Sequence, residues 1–580
     1  MIKRLAGCVR EFKVPTILTM LFVAGEAVID VIIPFVTANL VNRIRSGDEI
    51  STILKIGGLL VLMSVLSLCC GGLGGYTSAK ASAGFAKNLR RDIFHKVQGF
   101  SFENIDKFSS ASLVTRLTTD VNNVQMSFMM VIRIAIRAPL MLIFSIIMAY
   151  IMGGTLAATF IVIVPLLAIG LMIIGKKAMP AFRRVFKKYD RLNESIEENV
   201  RGMRVVKGFS REEYEKQKFA AAAEDIRIDF TKAERIVSLN TPLMQFCVYF
   251  NMIFVLLVGS KLIINDMGMG IGVGEISAML TYGMQILINL MMLSMIYVML
   301  TMSGESFKRI IEVFDETPAL VTHVSPVMKV ESGKVDFRKV NFKYSSKAKK
   351  YALCNIDLHI PAGATVGVIG GTGSGKSSLV QLIPRLYDVS EGAVEVGGTD
   401  VRDYDIEVLR GAVAMVLQKN QLFSGTIKEN LRWGNENATD AEIEEACKLA
   451  QADDFVRSFP EGYDTYIEQG GSNVSGGQKQ RLCIARALLK KPKILILDDS
   501  TSAVDTKTDA LIRESFKTYI PETTKIIIAQ RISSVQDSDM IVVMDNGCVS
   551  AVGTHEQLLE TSGIYKEVYE QQTSGGKDDE

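Results

Sequence analysis

Gly370-Gly371-Thr372-Gly373-Ser374-Gly375-Lys376-Ser377 follows the apolar run Thr365-Val366-Gly367-Val368-Ile369 and precedes a helical pattern that begins with Ser378. Strand, glycine-rich loop and helix in that order, with Lys-Ser closing the loop, form a phosphate cradle of the type GxxxxGK[ST]. Glycines at Gly370, Gly373 and Gly375 let the backbone wrap close to phosphate oxygens, and successive N–H groups supply positive potential. Lys376 is placed to reach the outer phosphates, and Ser377 to ligate magnesium. The stretch predicts an α/β domain that holds a nucleoside triphosphate at the carboxyl end of a parallel strand.

Further along, Lys493-Ile494-Leu495-Ile496-Leu497 reads as a buried strand ending in Asp498, the magnesium-side carboxylate that such a loop needs. Between the two lies Val474-Ser475-Gly476-Gly477-Gln478, followed by a helical pattern with Lys479, Gln480 and Arg481 in its first turn. Its glycines expose N–H groups at a helix start, a second site for an anion. The α/β domain opens upstream, where charged residues and alternating runs such as Lys334-Val335-Asp336-Phe337 begin after Glu316-Thr317-Pro318.

The rest of the chain is of a different kind. The 580 residues are 48% hydrophobic and only 22% charged, with mean hydropathy +0.23, which excludes a disordered chain and an ordinary soluble enzyme. Lys+Arg 65 against Asp+Glu 63 leaves +2, so no bulk basicity argues for nucleic acid. Eight cysteines without paired spacing, apart from adjacent Cys69 and Cys70, read as reduced, and His95, His323, His359 and His555 are too scattered for a metal centre.

A bilayer core of ~30 Å takes about 20 helical residues. Residues 56–79, 236–260 and 276–304 are such stretches, and 14–41 is a fourth, broken only by Glu26 and Asp30. Residues 138–175 are uncharged and too long for one crossing, and Gly153-Gly154 near the middle marks a hairpin, so the total is six spans. The first of them is retained rather than cleaved as a signal sequence. Residues 80–116 carry seven Lys/Arg and 176–235 carry sixteen, whereas 261–275 holds only Lys261. Positive charge stays on the cytoplasmic side, which places both long connections and the N-terminus there. Their helix-favouring composition predicts spans that continue well beyond the bilayer. Glu26 with Asp30, and Arg133 with Arg137, are charges inside spans at i,i+4 spacing. They line a polar cavity that meets substrate, or they neutralise one another as structural pairs.

The order GGTGSGKSS, VSGGQKQR, ILILDDSTSAVD and a final GTHEQLL resembles the ATP-binding cassette (ABC) family, and six spans ahead of one cassette resemble an exporter-type half-transporter. Gly202-Met203-Arg204-Val205-Val206-Lys207-Gly208-Phe209 is similar to the family's intracellular coupling region. The fold so implied is an all-α six-helix transmembrane domain over residues 1–320, a linker at 321–332, an α/β P-loop cassette over 333–572 and a polar tail at 573–580. The resemblance implies two chains closing head to tail on two ATP molecules, each held by one chain's phosphate loop (Gly370, Thr372, Gly373, Ser374, Gly375, Lys376, Ser377, Ser378) and the other's Ser475, Gly476, Gly477 and Gln478. By the same resemblance, Tyr344 stacks on adenine, unless it is a strand tyrosine of the core. Gln418 senses magnesium beside Ser377 and Asp498, unless it is inert, and Asp505 communicates across the dimer.

The pattern departs from the family at three places. Asp499 stands where a catalytic glutamate is usual, Gln530 where a histidine precedes Arg531, and Gln469 where a glutamate is usual. A carboxylate shorter by ~1.5 Å cannot hold water at an attack distance of ~3–3.5 Å without backbone movement, and positional errors of ~1 Å can cost ~100-fold in rate, while an amide cannot become cationic as imidazole can. The reading is of a chain that binds ATP and magnesium but hydrolyses weakly at its own site, and that completes the competent site of a different partner chain. It thus resembles the degenerate-site subunit of a heterodimeric bacterial multidrug exporter. Its expected cargo is a small amphipathic compound, drug or lipid; peptide export is disfavoured because no peptidase domain precedes residue 14. The expected location is the bacterial inner membrane. The alternatives are a homodimer in which Asp499 suffices, an importer of the same fold, and an ATP-gated regulatory or channel-like subunit. Methionines of the sixth span, including Met279, Met284 and Met295, suit an adaptable apolar cavity or plain helix packing.

Overall fold

The computed structural model describes residues 2–265, 271–321, 323–345, 348–499 and 504–574. Two compact units emerge, Met1–Gln98 with Ser110–Glu316, and Gly99–Ser109 with Thr317–Glu580.

In the first unit, six helices among the described residues are long and apolar enough to cross a membrane: α1 (Arg4–Ser46), α2 (Ile50–Gln98), α4 (Ser110–Gly153), α5 (Ala158–Arg201), α7 (Glu212–Ile264) and α8 (Val273–Asp315). At 43 to 53 residues and ~1.5 Å per residue, each is about twice as long as a bilayer crossing needs, as the helix-favouring connections predict. Gly47 ends α1 in the left-handed conformation (φ 76°), and Gly154 (φ 48°) turns the chain after α4, where the hairpin is expected. Two short helices belong to the connections, α3 (Phe102–Phe108) and α6 (Met203–Gly208). The span read over 236–260 is interrupted near its start, because the helical stretches end at Val237 and resume at Asn240.

Leu68, Ile161, Leu257 and Ile264 lie exposed along the helix surfaces, whereas Ala27, Ala81, Ala86 and Gly84 are buried. Apolar surface between helices gains nothing over lipid, so small residues that allow close backbone approach hold such a bundle together. Gly274 shows how close: a Cβ there would meet the Ala38 carbonyl at 2.2 Å.

The second unit is the α/β part. A six-stranded sheet has the order β10-β9-β3-β8-β7-β6, where β3 is Thr365–Gly370, β6 Val413–Val416, β7 Ile494–Asp498, β8 Thr524–Ile528, β9 Met540–Asp545 and β10 Cys548–Gly553. Every pair is parallel except β9 with β10. Parallel strands covered on both faces need continuous apolar runs, and β7 and β8 are buried at all five positions each. An antiparallel sheet, β2-β1-β4-β5, is built from β1 (Val335–Phe342), β2 (Leu353–Ile360), β4 (Glu391–Val396) and β5 (Thr399–Asp400). The helices that matter below are α9 (Lys376–Gln381), α10 (Gly476–Leu489), α11 (Thr506–Tyr519), α12 (His555–Thr561) and α13 (Gly563–Ser574).

The segment Gly99–Ser109, with α3 inside it, groups with the α/β unit and not with the helices that flank it in sequence. A single cut after residue 320 does not separate it.

Candidate functional site: a nucleotide pocket at the ends of four strands

Four neighbouring strands, β3, β8, β7 and β6, deliver the predicted residues at their carboxyl ends. The glycine loop follows β3, Gln530 follows β8, Asp498 ends β7 with Asp499 just after it, and Gln418 follows β6. Carboxyl ends of parallel strands are where open α/β sheets hold ligands. A cavity of about 340 Å³ opens there, lined by Gly370, Thr372, Gly373, Lys376, Ser377, Gln418, Asp498, Asp499 and Gln530 among others.

The loop conformation requires its glycines. Gly370 has no room for a Cβ, which would lie 2.2 Å from the Met544 carbonyl, and Gly375 sits at φ 95°. Lys376 Nζ donates to the carbonyls of Gly370 (2.8 Å) and Gly371 (2.9 Å), so the ammonium already lies against the loop. Burial pulls the Lys376 pKa down, against the attraction of Asp498 and Asp499. The Ser374 hydroxyl is buried with no hydrogen-bond partner among the described residues, as suits a loop that takes its remaining bonds from phosphate oxygens. Ser378 is buried beside it and its Oγ lies 2.7 Å from the Tyr344 hydroxyl.

Ser377 Oγ donates to Asp498 Oδ1 at 3.1 Å, and Asp498 is 5% exposed. Burial pushes the Asp498 carboxyl above the usual carboxylate range, and Asp499 adds to the effect. Two hard oxygen donors with unrelieved negative charge fit magnesium, which binds one or two protein oxygens and completes its shell with water and phosphate.

Asp499 is held differently. Gln530 Nε2 donates to Asp499 Oδ2 at 2.8 Å, and Gln418 Nε2 donates to the same oxygen at 3.3 Å. Its backbone is left-handed, φ 47°, with the N–H donating to the Ile528 carbonyl at 3.0 Å. Aspartate tolerates that region better than longer side chains do. The three residues that depart from or attend the family pattern therefore form one contact group, with two amide donors converging on one carboxylate oxygen.

Ser475 caps α10. Its Oγ accepts from the Gln478 N–H at 3.3 Å, its own N–H donates to Gln478 Oε1 at 2.9 Å, and Ser475 and Gly476 face solvent. Asp505 caps α11 by accepting from the Thr508 N–H at 2.9 Å, and that bond holds its carboxyl below the usual range. Residues 500–503 of the same loop lie outside the described residues, as do residues 575–580 of the polar tail. Gln469 sits in a short 3-10 turn, Gln469–Gly471, ahead of Ser475.

Tyr344 belongs to an aromatic cluster. Its ring meets Phe342 edge-on at 4.8 Å and Tyr387 at 5.1 Å, and 42% of the residue is exposed beside the loop. Tyr387 was invisible in the sequence. Its hydroxyl donates to Asp106 Oδ2 at 2.7 Å and its ring meets Phe102 at 6.1 Å, both on α3. Burial, followed by Asp106, raises the Tyr387 pKa, so it stays a donor. The only sequence signal was an aromatic in Leu386-Tyr387-Asp388, too common to single out.

Within the helical unit, the charged residues of the spans divide. Arg137 Nη2 lies 2.7 Å from Asp30 Oδ2 and 3.3 Å from Glu26 Oε1. Ser67 Oγ donates to Asp30 at 2.6 Å, and the Gln285 amide donates to the Asp30 carbonyl at 3.2 Å. Arg133 is exposed one turn away and makes no ion pair among the described residues. The ion pairs therefore join Glu26, Asp30 and Arg137, and Arg133 lies outside them.

Comparison with known proteins agrees with this architecture. Residues 16–302 match the family model described as the ABC transporter transmembrane region, and residues 353–502 match the ABC transporter model. The chain is 34% identical over 555 residues to YfiB of Bacillus subtilis (strain 168), described as an uncharacterized ABC transporter ATP-binding protein, covering 96% of each chain. It is likewise 34% identical over 564 residues to Rv1273c of Mycobacterium tuberculosis (strain ATCC 25618 / H37Rv), similarly described, again covering 96% of each. A bacterial Atm1-family ABC exporter, solved with ATP bound, superposes with a TM-score of 0.82 over 97% of this chain and 98% of its own, at 24% identity. The chain belongs to the ABC transporter family and has the exporter-type fold, with six membrane-capable helices fused to one ATP-binding cassette.

Proposed function

We propose that this chain is one half of an ATP-driven exporter of amphipathic compounds, and that its own ATP site is the weakly hydrolytic member of an asymmetric pair. The observation that carries the second part is the convergence of the Gln418 and Gln530 amides on Asp499. A general base must offer a lone pair to water within ~3 Å. Asp499 has one methylene fewer than the family's glutamate, and one of its oxygens is engaged by two donors. Gln530 can hydrogen-bond a γ-phosphate but cannot become cationic to meet developing charge.

ATP binding rests on other residues. Lys376 and the loop N–H groups receive the phosphates, Tyr344 offers its ring to adenine, and Ser377 and Asp498 would hold magnesium. That ion would supply positive charge to offset the phosphates. Ser475 and Gly476 face solvent at the capped start of α10, with Gly477 and Gln478 half-buried beside them, as suits residues that complete the site of a partner chain, and Asp505 belongs to the proposed dimer contact. On this reading closure of two cassettes is transmitted through α3 and α6 to the spans. The cassette lies on the cytoplasmic side of a bacterial inner membrane.

The test uses the purified chain in lipid vesicles, alone and with a second half-transporter encoded beside it. ATP-dependent uphill accumulation of a fluorescent amphipathic dye, with little ATPase activity from the chain alone and restored activity with the partner, is the expected result. Robust turnover by the chain alone, abolished by Lys376→Ala, would show a competent homodimer. Downhill flux only would point to an ATP-gated channel.

A further inference from the structure

The last helix, α13, closes one side of the nucleotide pocket. Tyr565, Val568, Tyr569 and Gln572 recur at i, i+3, i+4 and i+7 and share a face. Tyr565 is fully buried and its hydroxyl lies 2.7 Å from His555 Nδ1 on α12, while Val568 and Tyr569 pack on the cassette core. This anchoring brings Ile564, Tyr565 and Val568 to the wall of the pocket that holds Lys376 and Asp499. One turn on, Tyr569 and Gln572 line a second cavity of about 710 Å³ that also reaches Asp499 and Gln530.

Gln572 ends that face with two hydrogen bonds to a single loop. Its Nε2 donates to the Gln530 carbonyl at 2.8 Å, and its Oε1 accepts from the Ile532 N–H at 2.9 Å. The amide therefore straddles Arg531 and fixes the backbone on either side of it. The Gln530 side chain, which leaves that backbone, reaches Asp499 at 2.8 Å. No other side-chain type of this length offers both a donor and an acceptor in that geometry.

We propose that Gln572 is a positioning residue for the γ-phosphate side of the site: through its two bonds to the Gln530–Ile532 loop, the C-terminal helix sets where the Gln530 amide points, and hence how well the pocket distinguishes ATP from ADP. The inference rests on the reading above that Gln530 faces the γ-phosphate. It makes α13 part of the site although no residue of the recognised motifs lies on it.

The experiment measures displacement of a fluorescent ATP analogue from the purified full chain in lipid, by ADP and by the non-hydrolysable analogue AMP-PNP, both with magnesium. The unmodified chain is compared with Gln572→Ala, Gln572→Glu, Gln530→Ala and Gln571→Ala. Gln572→Ala is expected to weaken AMP-PNP about fivefold, the worth of one hydrogen bond, with ADP affinity and melting temperature unchanged. Gln572→Glu keeps the acceptor toward Ile532 but loses the donor toward Gln530, and is expected to behave like the alanine variant. Gln571→Ala, on the neighbouring exposed face, is expected to leave both affinities alone. If Gln530→Ala changes the ratio and Gln572→Ala does not, Gln572 has no positioning role and the inference fails while the reading of Gln530 stands. If Gln530→Ala leaves the ratio unchanged, that reading falls and the inference with it. Equal loss of ADP and AMP-PNP binding in Gln572→Ala, with a lowered melting temperature, would make Gln572 merely structural and overturn the proposal.

Discussion

Asp499→Glu combined with Gln530→His is the change most able to test the assignment of a weak site. Both residues sit in one contact group, with the Gln530 amide 2.8 Å and the Gln418 amide 3.3 Å from a single Asp499 oxygen. Lengthening the carboxylate by one methylene carries it ~1.5 Å further into the pocket, and misplacement by ~1 Å costs ~100-fold in rate. Replacing the neutral amide of Gln530 by imidazole exchanges one of the two amide donors held by the carboxylate for a group that can carry charge. The pair is therefore expected to raise steady-state phosphate release at least ~100-fold, about 2.7 kcal/mol of barrier. Asp499 occupies a left-handed backbone (φ 47°), so the glutamate should also cost up to about 1 kcal/mol of stability. The assay is phosphate release by the purified chain in lipid, with Lys376→Ala as the blank. Turnover within twofold of the unmodified chain, with binding of ATP retained, would refute the argument that geometry at Asp499 limits hydrolysis.

Lys376→Ala removes a half-buried cation that already hydrogen-bonds the loop. Its loss should weaken ATP by about 2 kcal/mol, some thirtyfold, in equilibrium binding. Asp498 carries a raised pKa from burial, so between the ordinary carboxylate value of ~4 and its raised value the folded chain binds more protons than the unfolded one. Stability of the magnesium-free cassette should then fall as pH rises through that window and level off above it. Asp498→Asn should raise the magnesium-free melting temperature at neutral pH and abolish magnesium-dependent ATP binding, both read by scanning fluorimetry. A double-mutant cycle of Tyr387→Phe and Asp106→Ala should give a coupling energy of about 1 kcal/mol in unfolding. On the proposed route through α3, each single change should reduce ATP-driven transport while leaving ATP affinity near normal; unchanged transport would exclude the route.

Local backbone patterns were readable from the chain. The phosphate loop is a run of eight contiguous residues in which Gly373 (φ 82°) and Gly375 (φ 95°) hold backbone shapes that glycine favours. Membrane spans are likewise local, because length and apolarity decide them within about twenty residues. The caps at Ser475 and Asp505 close within three residues and could be read the same way. What tertiary structure decided were contacts between distant parts of the chain. Tyr387 meets Asp106 across 281 positions, Gln572 meets Gln530 across 42, and Asp30 collects Ser67, Arg137 and Gln285 from three other helices. Each of these is one ordinary polar residue in an ordinary setting, and no spacing rule singles it out. Placement of α3 with the cassette is of the same kind, since its own sequence says only that it is a short helix. Periodicity could have marked Tyr565, Val568, Tyr569 and Gln572 as one face of a final helix, but not what that face touches. The sequence determines which backbone shapes and which solvents each segment accepts; only packing of the sheet and its last helix determines which amide reaches which carboxylate, because that depends on how several elements settle against one another at once.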